Sequence, residues 1–332
     1  MAITTHDLHL LRHRFVQDSG VPIQVLHSPY FSSRLELFEK EYGALSKYKE
    51  YFSYVTEHYG ENIQKFLEDY HSLRDRIINE VTNNKAYKDF LEDKTITEEI
   101  KSYKPVIGEA KLYTQEQVKE GNNMFLSLDM KKANFQTLKY INPAIVYDCD
   151  TYDDFIRRFT DIEIAIKSKR TREIIFGKLN PNRTMKYEKI IMSIIEKWLI
   201  ANTNIYSYFD LFSINSDEII YKLKPQYNFD AVIKSVSEKL NEDIIKLNIG
   251  IDVRIEFFKL ICHNFKTHAS DKIMNVFVKE FSDDRKAYKC ANEIYFPQTY
   301  KLINGLTIDE NDLVFYFDKM ELAKFFHPLE KI

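Results

Sequence analysis

The stretch from residue 121 to 265 carries the pattern that most limits how this chain can fold. Apolar runs of strand length occur at 125–129, 208–214, 218–223 and 253–260. Asn215, Ser216 and Asp217 separate the two middle runs, and such small polar residues are typical of a hairpin turn. Helical periodicity follows the first run and recurs between the hairpin and the last run. With a helical insert at about 141–205 set aside, the predicted order is strand, helix, hairpin, helix, strand.

This order is that of the split βαβ, or ferredoxin-like, arrangement, so the predicted fold class is α+β. Between residues 34 and 92, apolar side chains recur every three or four positions with charged residues between them, which predicts helices. Residues 21–26 precede them as a predicted short edge strand, with Pro22 near its start. We therefore expect a helical N-terminal region over residues 1–120, the α+β core over 121–265 and a C-terminal region over 266–332.

Composition narrows the functional classes and the compartment. The net charge is −3, so no overall positive field indicates nucleic-acid binding, and any such binding needs locally concentrated basic residues. The cysteines, Cys149, Cys262 and Cys290, are too few and too scattered for a disulfide framework or a zinc site. No run reaches the ~18 consecutive apolar residues of a membrane helix. We therefore expect no membrane association and a cytoplasmic location, in the host cell if the chain is viral.

Carboxylates stand at the ends of two apolar runs and are the candidate catalytic residues. Asp129 ends the first run, and Asp217 and Glu218 lie at the predicted hairpin turn. Carboxylates on neighbouring strands can hold two divalent metal ions, which drive in-line phosphoryl transfer. Each residue also has a structural interpretation: Asp129 as the N-cap of the next helix, Asp217 as a turn residue, and Glu218 as a solvent-facing side chain. Both interpretations stay open at this point.

The predicted insert concentrates positive charge. Its basic residues are Lys167, Lys169, Arg170, Arg172, Lys178, Arg183, Lys186 and Lys189, against Glu173 and Glu188. A run of charges is commonly a solvated helix face. In a chain that is acidic overall, it is also the local positive surface that a triphosphate and a nucleic-acid backbone require. The acidic residues between 148 and 154 we attribute to capping of a helix that begins near Thr151.

Three short strings, taken in their order along the chain, resemble motifs of right-hand, palm-domain nucleic-acid polymerases. Leu-Asp-Met-Lys-Lys-Ala at 128–133 resembles the first metal-binding motif of reverse-transcriptase-type palms. Ser-Asp-Glu-Ile-Ile at 216–220 resembles the acidic pair on the palm hairpin, with Asp-Glu where most palms have Asp-Asp. Residues 169–177 resemble the fingers helix of bacterial-type DNA polymerases, with Arg172 four positions before Phe176. The Tyr-Gly that usually follows Phe-Gly in that helix is missing here.

The resemblance implies a palm over residues 121–265, a fingers insert at about 141–205 and a thumb-like region over 266–332. It further implies two-metal nucleotidyl transfer to a 3′-hydroxyl, with Mg²⁺ or Mn²⁺ held by Asp129, Asp217 and Glu218. The implied partners are a nucleoside triphosphate and a primer or template strand of nucleic acid.

The same resemblance implies residues for binding the substrate. Lys169 and Arg172 would neutralise the triphosphate, and Lys178 and Arg183 are further candidates. In polymerases of this kind, the fifth residue after the first Asp often lies beneath the sugar. Here that residue is Asn134, whose amide could hydrogen-bond a 2′-hydroxyl, so ribonucleotides would be accepted. If the register is shifted by one, Phe135 would instead exclude the hydroxyl.

Two other functions fit the same residues. One is a non-catalytic interaction or structural protein of a virus or phage, with a palm-like core and no metal. The other is a template-independent terminal nucleotidyltransferase. Nucleotide incorporation on a primed template separates an enzyme from the first alternative, and omission of the template separates it from the second.

Overall fold

The molecule combines many helices with one large antiparallel sheet, which confirms the predicted α+β class. The computed structural model describes residues 3–27, 29–104, 110–121, 123–267, 273–318 and 321–332. No helix in these ranges combines the length and the apolar composition that crossing a membrane requires.

The N-terminal region is helical, as predicted. Its helices are α1 (Thr5–Ser19), α2 (Tyr30–Leu37), α3 (Glu39–Tyr42), α4 (Ala44–Tyr59), α5 (Ile63–Asn83), α6 (Lys85–Glu92) and α7 (Lys94–Ser102). In α5, Asn62 caps the first turn by accepting a hydrogen bond from the Lys65 amide. Phe66, Tyr70 and Leu73 are buried at three- and four-residue steps. Burial of this stripe, more than intrinsic propensity, stabilises the helix.

Residues 21–26 do not form the predicted edge strand. Pro22 has no amide hydrogen to donate. The amides of Ile23 and Leu26 donate to carbonyl groups only two residues back along the chain. The strand prediction was wrong because local turns use the amides that a neighbouring strand would need.

The sheet contains every strand predicted between residues 121 and 265. Its strands are β1 (Met124–Met130), β2 (Phe209–Ile214), β3 (Glu218–Leu223), β4 (Val253–Lys266), β5 (Ile273–Phe281) and β6 (Lys286–Lys289). They are hydrogen-bonded in the order β2-β3-β1-β4-β5-β6, and each adjacent pair is antiparallel. Near the C-terminus, β7 (Val314–Asp318) pairs with β8 (Glu321–Lys324), and β9 (Glu330–Lys331) pairs with β4.

Helices connect the first four strands. Helix α8 (Ala133–Ile141) follows β1, as predicted. The insert that comes next contains α9 (Tyr152–Arg157), α10 (Glu163–Lys167), α11 (Lys169–Gly177), α12 (Pro181–Asn202) and α13 (Ile205–Tyr208). Thr151 caps α9 by accepting a hydrogen bond from the Asp154 amide, which confirms the capping prediction. Helix α14 (Phe229–Leu247) connects β3 to β4.

The two faces of the sheet differ in chemistry. Successive side chains of a strand point to opposite faces, and on β1 Leu126, Leu128 and Met130 are buried with residues of α12 and α14. We call this the helix-backed face. The opposite face, here called the charged face, carries the charged and polar residues Ser127, Asp129, Glu218, Arg254 and Glu256 of β1, β3 and β4. The candidate site lies there.

Regions that the sequence predicted as separate share a core. Helices α1, α4 and α5 of the N-terminal region pack with α9 and α11 of the insert and with α15 (Phe296–Ile303). The predicted boundary at residue 266 coincides with the last residue of β4, and β5 continues the same sheet. The predicted thumb-like region therefore begins as an extension of the sheet.

Candidate functional site

The predicted carboxylates come together where β1 ends and β3 begins. Asp129 lies directly opposite Glu218 in the antiparallel register. The Met130 amide donates to the Asp217 carbonyl oxygen at 2.8 Å, which makes the adjacent pair of Asp129 and Glu218 a non-hydrogen-bonded pair. Side chains approach each other most closely in such pairs. Asp217 lies in the loop of the hairpin, one residue before Glu218.

Opposed carboxylates repel each other, and cations of the chain offset this repulsion. Arg254, opposite Asp129 on β4, donates from Nη2 to Asp129 Oδ2 at 2.6 Å. Glu218 Oε1 accepts hydrogen bonds from Ser127 Oγ at 2.6 Å and from Lys279 Nζ at 3.4 Å. Within the described residues, the other oxygen of each carboxylate makes no hydrogen bond. Each side chain thus has one oxygen held in place and one available to a ligand.

Burial disfavours the charged form of two of these groups. It raises the pKa of Asp129, an effect that Arg254 opposes and Asp217 reinforces. Burial also raises the pKa of Asp217, and the neighbouring Glu218 adds to this shift while Lys169 opposes it. A further cation close to these carboxylates would therefore be favoured electrostatically.

A fourth carboxyl group, that of Glu188, lies near Asp217 and was not among the predicted site residues. Glu188 lies on α12 and is only 3% exposed. Burial, followed by repulsion from Asp217, raises the pKa of Glu188 to about 7. The sequence itself indicates that Glu188 is buried. Glu188 comes three residues before the buried Ile191 and four before Met192, so it belongs to the apolar face of its helix.

A cavity of about 410 Å³ contains Asp129 and Glu218. Its lining consists of Glu41, Tyr113, Asp129, Glu218, Arg254, Glu256, Lys279, Phe281, Arg285, Lys286, Ala287 and Lys289. The cations among them come from β4, β5, β6 and the β5–β6 turn, and none was predicted. A larger cavity of about 690 Å³ lies beside α8 and contains none of the predicted carboxylates. We place the candidate site in the smaller cavity because Asp129 and Glu218 lie there beside basic side chains of β4, β5 and β6.

Two of the predicted triphosphate ligands lie on α11. Lys169, at the start of this helix, interacts favourably with the carboxylate of Asp217. The guanidinium carbon of Arg172 lies 5.6 Å from the ring centroid of Tyr152, a cation–π contact. Lys169 thus acts on Asp217 through its charge, while its ammonium group pairs with Glu173 at 3.6 Å, and Arg172 is directed to an aromatic ring.

The other two predicted phosphate ligands have different surroundings. Arg183 donates to Thr97 Oγ1 at 2.9 Å and to the Asp93 carbonyl oxygen at 2.8 Å, so it connects α12 to α7. Lys178 is exposed just after α11. Neither residue lines the cavity that contains Asp129 and Glu218.

The residues predicted to contact the sugar lie at the start of α8. Phe135 is 2% exposed, and its ring centroid lies 6.1 Å from that of Tyr152 and 5.9 Å from that of Phe155. Asn134 is half-buried in the same helical turn. Phe135 lines the larger cavity, and neither residue lines the smaller one.

The donor chemistry of the site fits a divalent cation that shares its ligands with a substrate. Asp129, Asp217 and Glu218 offer oxygen, the ligand atom that Mg²⁺ prefers. Among the residues that the structure describes, no three Asp, Glu, His or Cys side chains are grouped closely enough to hold a metal alone. In phosphate-transferring sites, however, Mg²⁺ is bound by one or two carboxylates, and substrate phosphates and water supply the remaining ligands. The residues present fit a cation of this second kind.

Comparison with known proteins does not identify a family for this chain. No protein-family model matches the chain, and neither a curated protein nor a solved structure gives a match. The interpretation of the site rests on its own geometry.

Proposed function

We propose that the protein is a nucleotidyltransferase, and specifically a nucleic-acid polymerase that adds nucleotides to a 3′-hydroxyl. One observation carries this proposal: Asp129 and Glu218 lie directly opposite each other on β1 and β3, with Asp217 in the adjoining loop. Opposed carboxylates are destabilising unless cations lie close to them. Arg254 and Lys279 supply such cations to one oxygen of each carboxylate, and a divalent metal that arrives with a phosphate substrate would bind the other oxygens.

The order of the first four strands supports a ferredoxin-like palm. The order β2-β3-β1-β4 is that of the split βαβ arrangement, with α8 after the first strand and α14 before the fourth. In the proposed palm, α12 and α14 cover the helix-backed face, and the charged face receives the substrate. The helices between α8 and β2 would be the fingers.

In the proposed site, Mg²⁺ or Mn²⁺ would be held by one or two carboxylates at a time from Asp129, Asp217 and Glu218, with substrate phosphates and water as the remaining ligands. When bound, the metal would supply charge stabilisation for attack by the 3′-hydroxyl and for departure of pyrophosphate. Ser127 holds one oxygen of Glu218, and Arg254 holds one oxygen of Asp129, so the remaining oxygens are oriented before a ligand binds. Lys169 would neutralise phosphate charge next to Asp217.

One observation favours a competing function, that of a non-catalytic interaction protein. Arg254 and Lys279 form ion pairs with Asp129 and Glu218 at 2.6 and 3.4 Å, and these pairs need no metal. A network of this kind can be purely structural. The two functions differ in whether the carboxylates are needed for chemistry.

Nucleotide incorporation on a primed template, with Mg²⁺ or Mn²⁺, tests the proposal. Asp129→Asn and Asp217→Asn should each lower incorporation roughly a thousandfold or more, because the lost metal stabilisation is worth several kcal/mol. Asp210→Asn changes an exposed carboxylate on β2 and is the matched control, which should keep full activity. A parallel reaction without template identifies a terminal transferase. Near-normal activity in either site variant, or no incorporation by the wild-type protein with either metal, would refute the proposal.

A further inference from the structure

The cations that line the 410 Å³ cavity are unequally paired. The ion pairs include Arg254–Asp129 at 2.6 Å, Lys279–Glu218 at 3.4 Å, Arg285–Glu256 at 3.1 Å and Lys286–Glu280 at 3.6 Å. Lys289 differs from these cations. Within the described part of the chain, no carboxylate oxygen lies within 4.0 Å of its ammonium group. Among the residues that the structure describes, Lys289 is therefore the cation of the cavity without a carboxylate partner.

Lys289 lies close to Lys279 on the same face of the sheet. Lys279 of β5 is opposite Ala287 of β6, and Lys289 is two positions beyond Ala287. Residues two apart on a strand point to the same side, so the two lysines are diagonal neighbours with α-carbons about 7–8 Å apart. Two ammonium groups at this spacing can contact different oxygens of one phosphate chain.

Lys279 is buried and shares its carboxylate partner with another donor. It is only 6% exposed, and its Nζ lies 4.3 Å from the ring centroid of Phe258. Its carboxylate partner, Glu218, is 3.4 Å away and also accepts a hydrogen bond from Ser127. A buried ammonium group with a single, shared carboxylate partner is costly to desolvate. This cost would be offset by an anion in the cavity.

The charges around Lys289 also favour binding of an anion. Desolvation by its surroundings lowers the pKa of Lys289, the positive charges of Lys279 and Lys169 lower it further, and the carboxylate of Glu218 opposes this shift. Lys169 belongs to α11, so cations from α11, β5 and β6 act on one another here. A multiply charged anion would relieve their mutual repulsion.

We propose that Lys279 and Lys289 bind the polyphosphate group of a nucleoside triphosphate. The choice of a nucleotide as ligand rests on the nucleotidyl transfer proposed above. The choice of a phosphate chain follows from the two lysines alone. Lysine ammonium groups bind phosphate oxygens as compact point charges, without the fixed geometry of a guanidinium. The main phosphate contacts thus come from the β5–β6 hairpin and not from the arginines of the insert.

A polyphosphate fits this cavity better than a nucleic-acid backbone does. Asp129, Glu218 and Glu256 also line the cavity and would repel a bare phosphodiester. A triphosphate carries a divalent cation, so the cation can face the carboxylates while phosphate oxygens face the lysines. A volume of about 410 Å³ is that of a small-molecule pocket, whereas single strands bind along extended grooves.

Calorimetric titration with inorganic tripolyphosphate in the presence of Mg²⁺ tests the site directly. Lys289→Ala should weaken binding about tenfold or more, because a charge-assisted contact to phosphate is lost. Lys289→Arg should retain most of the affinity. Lys259→Ala removes the same charge from an exposed position on β4 outside the cavity and should bind like the wild type. Since Lys289 is exposed, the variant should fold, and a thermal unfolding curve verifies this.

The possible outcomes distinguish failure of the proposed phosphate site from failure of the proposed polymerase function. Equal affinities of Lys289→Ala and Lys259→Ala for tripolyphosphate would overturn the proposal. It would also be overturned if Lys289→Ala weakened binding of a single-stranded oligonucleotide but left tripolyphosphate binding unchanged. Lys289-dependent binding by a protein that incorporates no nucleotide would support the phosphate site while refuting the polymerase function.

Discussion

The two faces of the sheet differ in role. The helix-backed face is packed for folding, and the charged face carries the candidate site. On the helix-backed face, Leu126 and Leu128 of β1 are fully buried with apolar residues of α12 and α14. On the charged face, their neighbours Ser127 and Asp129 contact Glu218 and Arg254. All four residues of β1 are consecutive, so the contrast lies between faces and not between regions of the sequence.

This difference has an energetic meaning. Removing apolar surface from water stabilises a fold by about 25 cal/mol per Å². Ion pairs away from water gain Coulomb energy but lose solvation, so their net effect on stability is small or unfavourable. The helix-backed face therefore accounts for much of the stability of the sheet. The opposed carboxylates of the charged face are better explained by a ligand than by folding.

Truncation of adjacent residues on β1 tests this division and has the largest expected effect on stability. Leu128→Ala should lower the free energy of unfolding by about 3–5 kcal/mol, because it leaves a cavity in the helix-backed core. Ser127→Ala removes one hydrogen bond to Glu218 and should cost about 1 kcal/mol. Denaturant titration of both variants measures the difference. Equal losses of stability would show that the charged face also serves folding.

The same strand shows how far local sequence patterns predict the fold. The apolar run of β1 and the turn residues before β3 are local signals, so these strands and their terminal carboxylates could be predicted. Lys279 and Lys289 could not be predicted as site residues. They reach the cavity because β5 pairs with β4 and β6 pairs with β5, and no short pattern specifies that register.

The basic insert shows the complementary limit. Its composition predicts a positive surface, but composition does not say which cations face the carboxylates. Arg183 instead donates to groups at the start of α7, and Arg172 contacts Tyr152. Only the tertiary packing of the insert decides these directions. Glu188 is an intermediate case, because a charge on the apolar side of a helix is visible in the sequence.

Glu188 provides a test that depends on pH, with a smaller expected effect. The pKa of Glu188 is about 7 in the folded protein and near 4.5 in the unfolded chain, so the folded state binds its proton more tightly. The associated stability is fully present below about pH 4.5 and is lost as pH rises through 7. Glu188→Gln mimics the protonated form. It should therefore stabilise the protein by about 2–3 kcal/mol at pH 8 and by less than about 1 kcal/mol at pH 5.

Unfolding curves at the two pH values, with Glu238→Gln as control, measure this effect. Glu238 is an exposed residue of α14, and its substitution should leave the stability within about 0.5 kcal/mol of wild type at both values. If Glu188→Gln destabilised the protein at pH 8, the Glu188 carboxylate would be charged and paired in the folded state. The helix-backed side of the site would then carry a functional charge as well.

The smallest effect is expected for Arg172, and it sharpens the comparison between the insert and the charged face. Its guanidinium group lies over the ring of Tyr152, so Arg172→Ala should cost about 1 kcal/mol of stability through the lost cation–π contact. Arg170→Ala, on the exposed side of the same helix, should cost less because its contact is a surface ion pair with Glu173 at 3.7 Å.

In steady-state kinetics, Arg172→Ala should change KM for the nucleotide less than about threefold, since the phosphate contacts are assigned to Lys279 and Lys289. A tenfold rise in KM with unchanged stability would instead make Arg172 a triphosphate ligand, as the resemblance of α11 to a fingers helix implies. The guanidinium group of Arg172 would then have to leave the ring of Tyr152 and contact phosphate when the substrate binds.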